Sequence, residues 1–338
     1  FTEAARWFER QGHSVRVVGR PGSRFLAAVR DSGLDAVDFD FGGDYDPFAV
    51  WRAFRLQQDF RPDIVFVNFN KDAWLFGRGA KLLRRPTVAR HGLTLFKDKL
   101  VHRLVYKWHM DRVVVNAPSI RDDYARLGFD TRKIEVILNG VRLVDERPGE
   151  LRAHLGVDPG TLLIGAAGRL DQQKRFDRFI RIAATLVDEG VDARFVILGD
   201  GAERDALERQ HAATNLGDRL LFGGFIEDFA ARAGDLDLLL LTSQNEGPPN
   251  ALLEAMARGV PSLAFGVGAV PEIMTGGCSP GLVAEGDEVA MGQAALNLIQ
   301  HRELLHALGE AQARRVREEL NFDASMQRYE SFLKSVAH

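Results

Sequence analysis

The sequence contains very little cysteine and no long hydrophobic run. Its one cysteine, Cys278, cannot form a disulfide within the chain, which fits a reducing compartment. No apolar stretch approaches the roughly 20 residues that a membrane-spanning helix requires, and no secretory signal peptide opens the chain. The GxGxxG fingerprint of dinucleotide-binding proteins is also absent. We therefore expect a cytoplasmic protein that neither spans a membrane nor depends on disulfides.

Length and charge narrow the class further. A chain of 338 residues exceeds the size at which one hydrophobic core stops growing, so we expect two domains. With 46% hydrophobic and 27% charged residues, the composition is that of an ordinary globular protein. Residues 1–140 carry 24 Lys and Arg against 17 Asp and Glu, whereas the remainder carries 20 against 30. A basic amino-terminal half fits an anionic partner such as membrane headgroups, although an ordinary solvated surface also explains it.

The most informative stretch is 235–261, DLDLLLLTSQNEGPPNALLEAMARGVP. Its continuous apolar run predicts a buried parallel strand, and a polar loop and a helix follow. The loop contains Glu246, and Glu254 lies on the helix. The unpaired N–H groups at the helix start favour an anion, and the carboxylates can accept hydrogen bonds from hydroxyls. A sugar linked to a phosphate satisfies both features; the alternative is that Glu246 caps the helix and Glu254 is solvated.

A second stretch has the same organisation. Residues 161–167, TLLIGAA, predict another buried strand, which runs into Gly168 and Arg169 and then Lys174 before an amphipathic helix. Arginine offers a planar fork and lysine a point charge, so this loop suits a phosphate. The alternative is a surface loop with scattered basic residues.

Five motifs in order carry a family resemblance. They are GRL with Lys174, VILGDG at 196–201, GGFIED at 223–228, EGPPNALLEAMARGVP, and GAVPE at 268–272. Together they resemble the retaining GT-B glycosyltransferases of family 4, whose two motif glutamates are separated by seven residues, as Glu246 and Glu254 are. The resemblance runs from about Phe8 to the end of the chain.

The resemblance implies an α/β architecture of the GT-B type, with two Rossmann-like parallel-sheet domains facing across a cleft. The amino-terminal, acceptor-side domain would cover residues 1–141 and lack its first strand and glycine-rich loop. A linker at 142–160 would lead to a nucleotide-sugar donor domain at 161–320. The last helix, at 321–338, would cross back to the first domain.

The resemblance also implies the reaction. A sugar would move from a nucleotide-diphosphate donor to a hydroxyl acceptor with retention, without a metal or another cofactor. Arg169, Lys174 and the helix start would hold the diphosphate, while Glu246 would orient the sugar and Glu254 the ribose. Further donor-side candidates are Gly168, Gly199, Gly247, Asn250, Ala251, Leu252 and Phe225.

Other candidate residues are less specific. His91 falls where the family often has a histidine that contacts the donor sugar, although a lone histidine is more often structural. Phe225 would lie near the nucleotide base, and a core position explains it equally well. Asn68 and Asn70 follow a predicted strand, at the edge where open α/β sheets bind ligands, and are candidates for the acceptor side.

Partners and location follow from the same resemblance. We expect a nucleotide sugar, a glycan or lipid-linked acceptor of the cell envelope such as lipopolysaccharide, and no nucleic acid. A predicted helix at 96–110 interleaves Lys97, Lys99, Arg103 and Lys107 with apolar residues. It suits either the anionic inner face of a membrane or an ordinary amphipathic role. The Asp38-Phe39-Asp40 triplet is better explained by alternation on a strand edge than by a metal site.

Some residues depart from the family pattern. Arg175 stands where the family has glycine after the lysine, and Pro248 and Pro249 stand where it has phenylalanine and glycine. The prolines remove two N–H donors from the loop. These departures put in question how many backbone N–H groups reach the donor. Two other functions also stay open: an inactive fragment or nucleotide-sugar binding module, because the expected first strand is missing, and a GT-B sugar-nucleotide epimerase, which would share the architecture.

Overall fold

The computed structural model describes residues 2–42, 46–92, 95, 99–247 and 249–337. Strands and helices alternate along most of the described chain, as the sequence predicts, and its last three helices follow one another without a strand between them. The first elements are α1 (Thr2–Arg10), β1 (Arg16–Gly19), α2 (Arg24–Asp31), β2 (Asp35–Asp38), α3 (Pro47–Phe60), β3 (Val65–Val67), α4 (Asn70–Leu82), β4 (Thr87–His91), α5 (Leu100–His109), β5 (Arg112–Val115), α6 (Pro118–Arg126) and β6 (Ile134–Val136).

The later elements continue the alternation. They are α7 (Glu150–Leu155), β7 (Leu162–Ala167), α8 (Phe176–Asp188), β8 (Ala193–Leu198), α9 (Arg204–Ala212), β9 (Leu220–Gly224), α10 (Phe229–Arg232), β10 (Leu238–Leu241), α11 (Asn250–Ala257), β11 (Ser262–Phe265), α12 (Val270–Ile273), β12 (Leu282–Val283), α13 (Glu288–Gln300), α14 (Arg302–Glu319) and α15 (Phe322–Ala337).

The chain divides into two compact units. The first unit comprises Phe1–Asn116, Ile120–Ile137 and Met326–His338, and the second comprises Ala117–Ser119 and Leu138–Ser325. In the first unit β1 pairs with β2, and β3, β4, β5 and β6 form a separate parallel sheet in that order. The predicted domain boundaries, and the predicted absence of a preceding strand, stay predictions.

The second unit is built on one six-stranded parallel sheet in the order β12-β11-β10-β7-β8-β9. The strand order reverses between β7 and β10, which are neighbours through Leu238 and Ile164. In such sheets the loops diverge at this reversal and leave a crevice beyond the carboxyl ends of the strands. Strand β10 is buried at all four leucines, as its continuous apolar sequence predicts.

Local chemistry explains several helix starts. The Ser23 hydroxyl accepts from the Leu26 N–H at the start of α2, and Asp46 accepts from the Phe48 N–H at the start of α3. Helix α7 lies in the predicted linker at 142–160, and the buried carboxylate of Asp235 accepts from the N–H groups of Leu151 and Arg152. The predicted linker thus contains a helix that is fixed to the second unit.

No helix in the described ranges combines the length and the apolar character needed to cross a bilayer. The predicted helix at 96–110 begins at Leu100 in the structure, and residues 96–98 lie outside the described ranges.

Candidate functional site

The loops that follow β7 and β10 meet at the strand-order reversal of the second unit. These loops are joined by hydrogen bonds. The Gln244 N–H donates to the Gln173 carbonyl at 3.0 Å, and the Gln173 side-chain amide donates to the Asn245 carbonyl at 2.8 Å. The Thr242 hydroxyl donates to the Arg175 carbonyl at 3.1 Å. The two loops are therefore held as one scaffold before any ligand arrives.

Lys174 and Glu246 meet across this scaffold. The Lys174 ammonium lies 2.7 Å from Oε1 and 2.8 Å from Oε2 of Glu246, and the Ser243 hydroxyl donates to Oε1 at 2.6 Å. The carboxylate is only 4% exposed, so its charge depends on these partners. The alternative that Glu246 caps helix α11 is wrong, because the N-cap residue is Pro249 and the helix has no side-chain cap.

Arg169 lies in the same loop as Lys174 and faces solvent. Its side chain is 75% exposed, and its Nε donates to Asp171 at 2.7 Å. The second carboxylate oxygen of Asp171 accepts from the N–H groups of Gln173 and Lys174. Asp171 therefore both shapes the loop and restrains the guanidinium, whose remaining N–H groups point to no other described residue.

Helix α11 begins next to Glu246. Its first residues are Asn250, Ala251 and Leu252, and the Leu253 N–H donates to the Pro249 carbonyl at 3.1 Å. The Leu252 side chain is fully buried, so only the backbone of this residue could contact a ligand. Gly247 ends the described part of the loop, and Pro248 lies outside the described residues. The start of α11 therefore has no side-chain cap among the described residues and follows the loop that contains Glu246.

Glu254 lies one turn farther along α11. Burial raises its pKa to about 7, because the carboxylate loses hydration. No hydrogen bond joins its side chain to another described residue, and the side chain is half-buried. The alternative that Glu254 is an ordinary solvated helix residue is therefore wrong.

Two glycines bring the loops into backbone contact. A Cβ on Gly199 would lie 1.8 Å from the Gly168 carbonyl oxygen, and the φ of Gly199 is +140°. A Cβ on Gly268, in the GAVPE motif, would lie 1.7 Å from the Glu246 carbonyl oxygen. Only glycine allows these approaches. The contact with Gly168 therefore explains the glycine at position 199 without a ligand. Gly268 contacts the backbone of Glu246, and in the sequence only its motif pointed to it.

Phe225 follows β9 on the same edge of the sheet. Its side chain is 78% exposed, so the alternative of a core position is wrong. The preceding Gly224 has a φ of +70°, which turns the chain out of the strand. An exposed aromatic ring at this edge can stack on a planar base.

The first unit has a different set of groups at its strand ends. Asn68 follows β3, Asn70 begins α4, and Asn116 follows β5. The side-chain oxygens of all three are buried and accept no hydrogen bond from the described residues. Asn116 is 3% exposed, and sequence reasoning missed it; its position directly after a buried strand was the available signal. These amides provide neutral acceptors for hydroxyl donors.

His91 ends β4, between the strands that precede Asn68 and Asn116. It is fully buried, and its Nδ1 lies 2.8 Å from the Tyr124 hydroxyl, which accepts from the Leu95 N–H at 3.0 Å. Burial lowers the pKa of His91 to about 4, so the ring is neutral at pH 7. A contact between this enclosed ring and a sugar stays a prediction.

The Asp38-Phe39-Asp40 triplet makes structural contacts. Asp38 pairs with Arg30 at 2.5 Å, and Asp40 accepts from the Gly42 N–H at 3.0 Å. Within the described ranges, no group of three His, Cys, Asp or Glu residues is placed to hold a metal ion.

Family models match both parts of the chain. A model described as Glycosyltransferase Family 4 matches residues 1–144, and one described as Glycosyl transferases group 1 matches residues 161–301. The 2-deoxystreptamine glucosyltransferase of Streptomyces kanamyceticus is 28% identical over 72% of this chain and 69% of that protein. The GDP-mannose-dependent alpha-(1-6)-phosphatidylinositol dimannoside mannosyltransferase of Mycobacterium tuberculosis is 35% identical over 57% of this chain and 50% of that protein. The chain thus spans between half and about two thirds of these relatives.

Solved structures share the fold. The structure of Anabaena HepE in complex with UDP superimposes with a TM-score of 0.82 at 20% identity, covering 94% of this chain and 91% of that one. The two parallel-sheet units agree with this likeness. The chain has the GT-B fold and belongs to the group 1 glycosyltransferases of family 4.

Proposed function

We propose that the protein transfers a sugar from a nucleotide-diphosphate sugar to a hydroxyl acceptor, with retention at the anomeric carbon. The observation that carries this proposal is the pair of half-buried Lys174 and buried Glu246, which lies at the strand-order reversal, before the start of α11. The names of the relatives support it, since one is a glucosyltransferase and the other a GDP-mannose-dependent mannosyltransferase.

The donor's diphosphate would lie against Lys174, Arg169 and the N–H groups of α11. The Lys174 ammonium has three N–H groups, and Glu246 is its only described partner, so it can also donate to a phosphate oxygen. These donors are fixed before the reaction and would stabilise the charge that develops on the leaving diphosphate. We propose that this arrangement serves in place of a metal ion.

The two glutamates would bind hydroxyls. Glu246 would accept from hydroxyls of the transferred sugar, because its carboxylate lies beside the proposed phosphate position. Glu254 would accept from the ribose, and Phe225 would stack on the base. In a retaining transfer on one face of the sugar, the leaving phosphate takes the acceptor's proton, so positioning supplies most of the rate.

The acceptor would be a glycan or a lipid-linked glycan of the cell envelope, such as lipopolysaccharide. Amide oxygens without a hydrogen-bond partner among the described residues suit its hydroxyls; they belong to Asn68, Asn70 and Asn116. His91, at the same edge of the sheet, would contact the donor sugar. The mycobacterial relative's name specifies a phosphatidylinositol dimannoside, which is a membrane lipid. We therefore place this protein at the cytoplasmic face of a membrane, in peripheral contact with anionic lipid.

Thermal unfolding with nucleotides tests the donor site. The chain is heated with UDP, GDP and ADP, each free and as a sugar conjugate, alongside the double variant Arg169→Ala with Lys174→Ala. A ligand at a hundred times its dissociation constant adds about 2.7 kcal/mol to the free energy of unfolding, which shifts the midpoint measurably.

The expected result is a shift with one nucleotide that the double variant loses. The matched control is Arg209→Ala, an exposed residue of α9 outside the proposed site, which should keep the full shift. A chain that shows no shift with any nucleotide, or a double variant that shifts as the wild type does, would contradict the donor assignment.

A further inference from the structure

The first unit has an exposed surface that is apolar and basic together. Four apolar side chains of α5 face solvent: Leu100, Val101, Leu104 and Trp108. Leu82, the last residue of α4, is also 75% exposed. We call these five residues the α5 face. Helices α4 and α5 are packed neighbours, so the five residues belong to one region of the surface.

Helix α5 has apolar residues on two sides. Val105 and Tyr106 are 5% and 4% exposed and attach the helix to the unit. At 3.6 residues per turn, the exposed apolar side chains share one sector of about 100° on the other side of the helix; they are Leu100, Val101, Leu104 and Trp108. An ordinary amphipathic helix presents polar residues on that side. The outward residues of α5 therefore have no role in the unit's core.

Basic groups surround the α5 face. The Lys81 ammonium lies 4.7 Å from the centre of the Trp108 ring, and the Lys107 ammonium lies 5.5 Å from it. In sequence, residues 73–110 contain nine Lys and Arg but only one acidic residue, Asp98. The rim thus carries the positive charges of Lys81 and Lys107 at the indole, within a stretch of sequence that is strongly basic.

The positive charge of the rim favours an anionic bilayer over a second copy of the chain as the binding partner of the α5 face. A second copy of the chain, docked through the same face, would bring one positive rim against another. An anionic bilayer neutralises the rim, while leucine and indole enter the boundary between headgroups and acyl chains. Lysine stems can lie along apolar surface with their ammonium groups at the phosphates.

We infer that the α5 face seats the first unit on a bilayer that contains anionic lipid, with Trp108 and the exposed leucines at headgroup depth. This rests on the proposed function, since it would bring a lipid-linked acceptor to the first unit. It names the contacting surface, which the proposed reaction by itself does not.

Vesicle flotation tests the inference. The full chain is mixed with phosphatidylcholine vesicles with and without phosphatidylglycerol, at low and high salt. The wild type should bind the anionic vesicles at least about tenfold more tightly, and salt should reduce the difference because it screens the rim. Lys81→Gln with Lys107→Gln should weaken binding about 30-fold, at roughly fivefold for each basic residue near an anionic surface.

A second variant tests the apolar part. Leu104→Gln with Trp108→Ser should reduce binding to the anionic vesicles by tenfold or more, because both side chains lose apolar area that would leave water. Both residues are already exposed, so the change leaves the core intact. Matched controls lie on the second unit. Leu304→Gln matches the leucine change, since Leu104 and Leu304 are both 45% exposed, and Arg209→Gln matches the lysine changes; both should bind as the wild type does.

Nucleotide binding separates this inference from the proposed function. Every variant should keep the nucleotide-dependent thermal shift in lipid-free buffer. A retained shift with no vesicle binding would overturn the inference and leave the transferase proposal standing. Binding without preference for anionic lipid, or binding that survives both double variants, would overturn it too. The wild type could instead fail to bind vesicles and form concentration-dependent dimers that the Leu104 and Trp108 changes abolish. That result would replace membrane binding with self-association through the α5 face.

Discussion

The two units differ in the kind of groups that they place at their strand ends. The second unit presents charge: a half-buried lysine paired with a buried glutamate, an exposed arginine, and a half-buried glutamate with a raised pKa. The first unit presents neutral groups: three amide oxygens and an uncharged histidine. A diphosphate requires the former, and sugar hydroxyls are satisfied by the latter. The comparison is consistent with our proposal that the second unit binds the donor and the first unit the acceptor.

The units also differ in how their loops are fixed. In the second unit the loops after β7 and β10 are linked by backbone and side-chain hydrogen bonds. The Gly199 backbone also packs closely against that of Gly168. In the first unit the described strands form two short sheets. We expect substitutions in the second unit's loops to affect donor binding and stability together, unless they conserve shape.

The largest expected effect is on transfer by Glu246→Gln. The amide keeps the shape and one oxygen for Lys174 but removes the negative charge. Transfer should fall about 100- to 1000-fold, as for loss of one oriented polar group in other active sites. Stability should fall by only about 1–3 kcal/mol, since the hydrogen bonds are partly kept.

Glu285→Gln, at an exposed position before α13, is the matched control. It should leave both transfer and melting temperature unchanged. Unchanged transfer in Glu246→Gln, or a loss of transfer no greater than its loss of folded protein, would remove Glu246 from the donor site.

The next effect tests the interlocked backbone of the second unit. Gly199→Ala should reduce the free energy of unfolding by about 3 kcal/mol, because the new Cβ would collide with the Gly168 carbonyl. Gly190→Ala is the control: its φ is also positive, at +83°, but a Cβ there would meet nothing within 4 Å. It should lose only about 1 kcal/mol. Equal losses in urea unfolding would show that the close approach carries no cost.

A smaller, pH-dependent effect tests Glu254. Its pKa in the folded state, about 7, lies above its ordinary value of 4.5, so burial favours the neutral form. The free energy of unfolding should therefore fall between pH 4.5 and pH 7 by roughly 1–3 kcal/mol. Glu254→Gln removes this decline, and comparing urea unfolding of the two proteins at pH 5 and pH 8 measures it.

Nucleotide-sugar binding should respond in the opposite sense. Ribose hydroxyls donate to the ionised carboxylate, so affinity for a sugar conjugate should rise about tenfold from pH 6 to pH 8. Sugar conjugates are used because a free terminal phosphate titrates in the same range. A flat profile in the wild type, or a rise that persists in Glu254→Gln, would contradict the ribose assignment.

The smallest effect tests the neutral character of the first unit. The pKa of His91 is lowered from 6.5 to about 4, so its neutral form stabilises the fold and that stability is lost as pH falls through this window. When the pH is lowered from 6.5 to 4.5, the free energy of unfolding should therefore fall by about 1–2 kcal/mol less in His91→Gln than in the wild type. Identical pH profiles would indicate that His91 titrates normally and that the first unit is not neutral at this strand end.

The sequence was sufficient where the signal is local. The continuous leucines of β10 and the apolar run of β7 predict buried strands, and both predictions are confirmed. The family fold followed from five motifs, and it too is confirmed. The roles assigned to single residues stay predictions.

What the sequence could not supply is contact between distant residues. Lys174 and Glu246 are 72 positions apart, so the helix-cap interpretation of Glu246 had nothing local to oppose it. Asn116 and the outward side of α5 depend on which face of an element the rest of the unit covers. A helical pattern with apolar residues on two sides does not reveal which side is buried.

The most direct test of the central claim is a crystal structure with the nucleoside diphosphate that the thermal assay selects. The account predicts a phosphate oxygen within hydrogen-bond distance of Lys174 Nζ and of the N–H groups of Ala251 or Leu252. It also predicts ribose hydroxyls on Glu254. A nucleotide bound elsewhere, with the Lys174–Glu246 pair untouched by phosphate or sugar, would contradict the assignment of donor binding to this crevice.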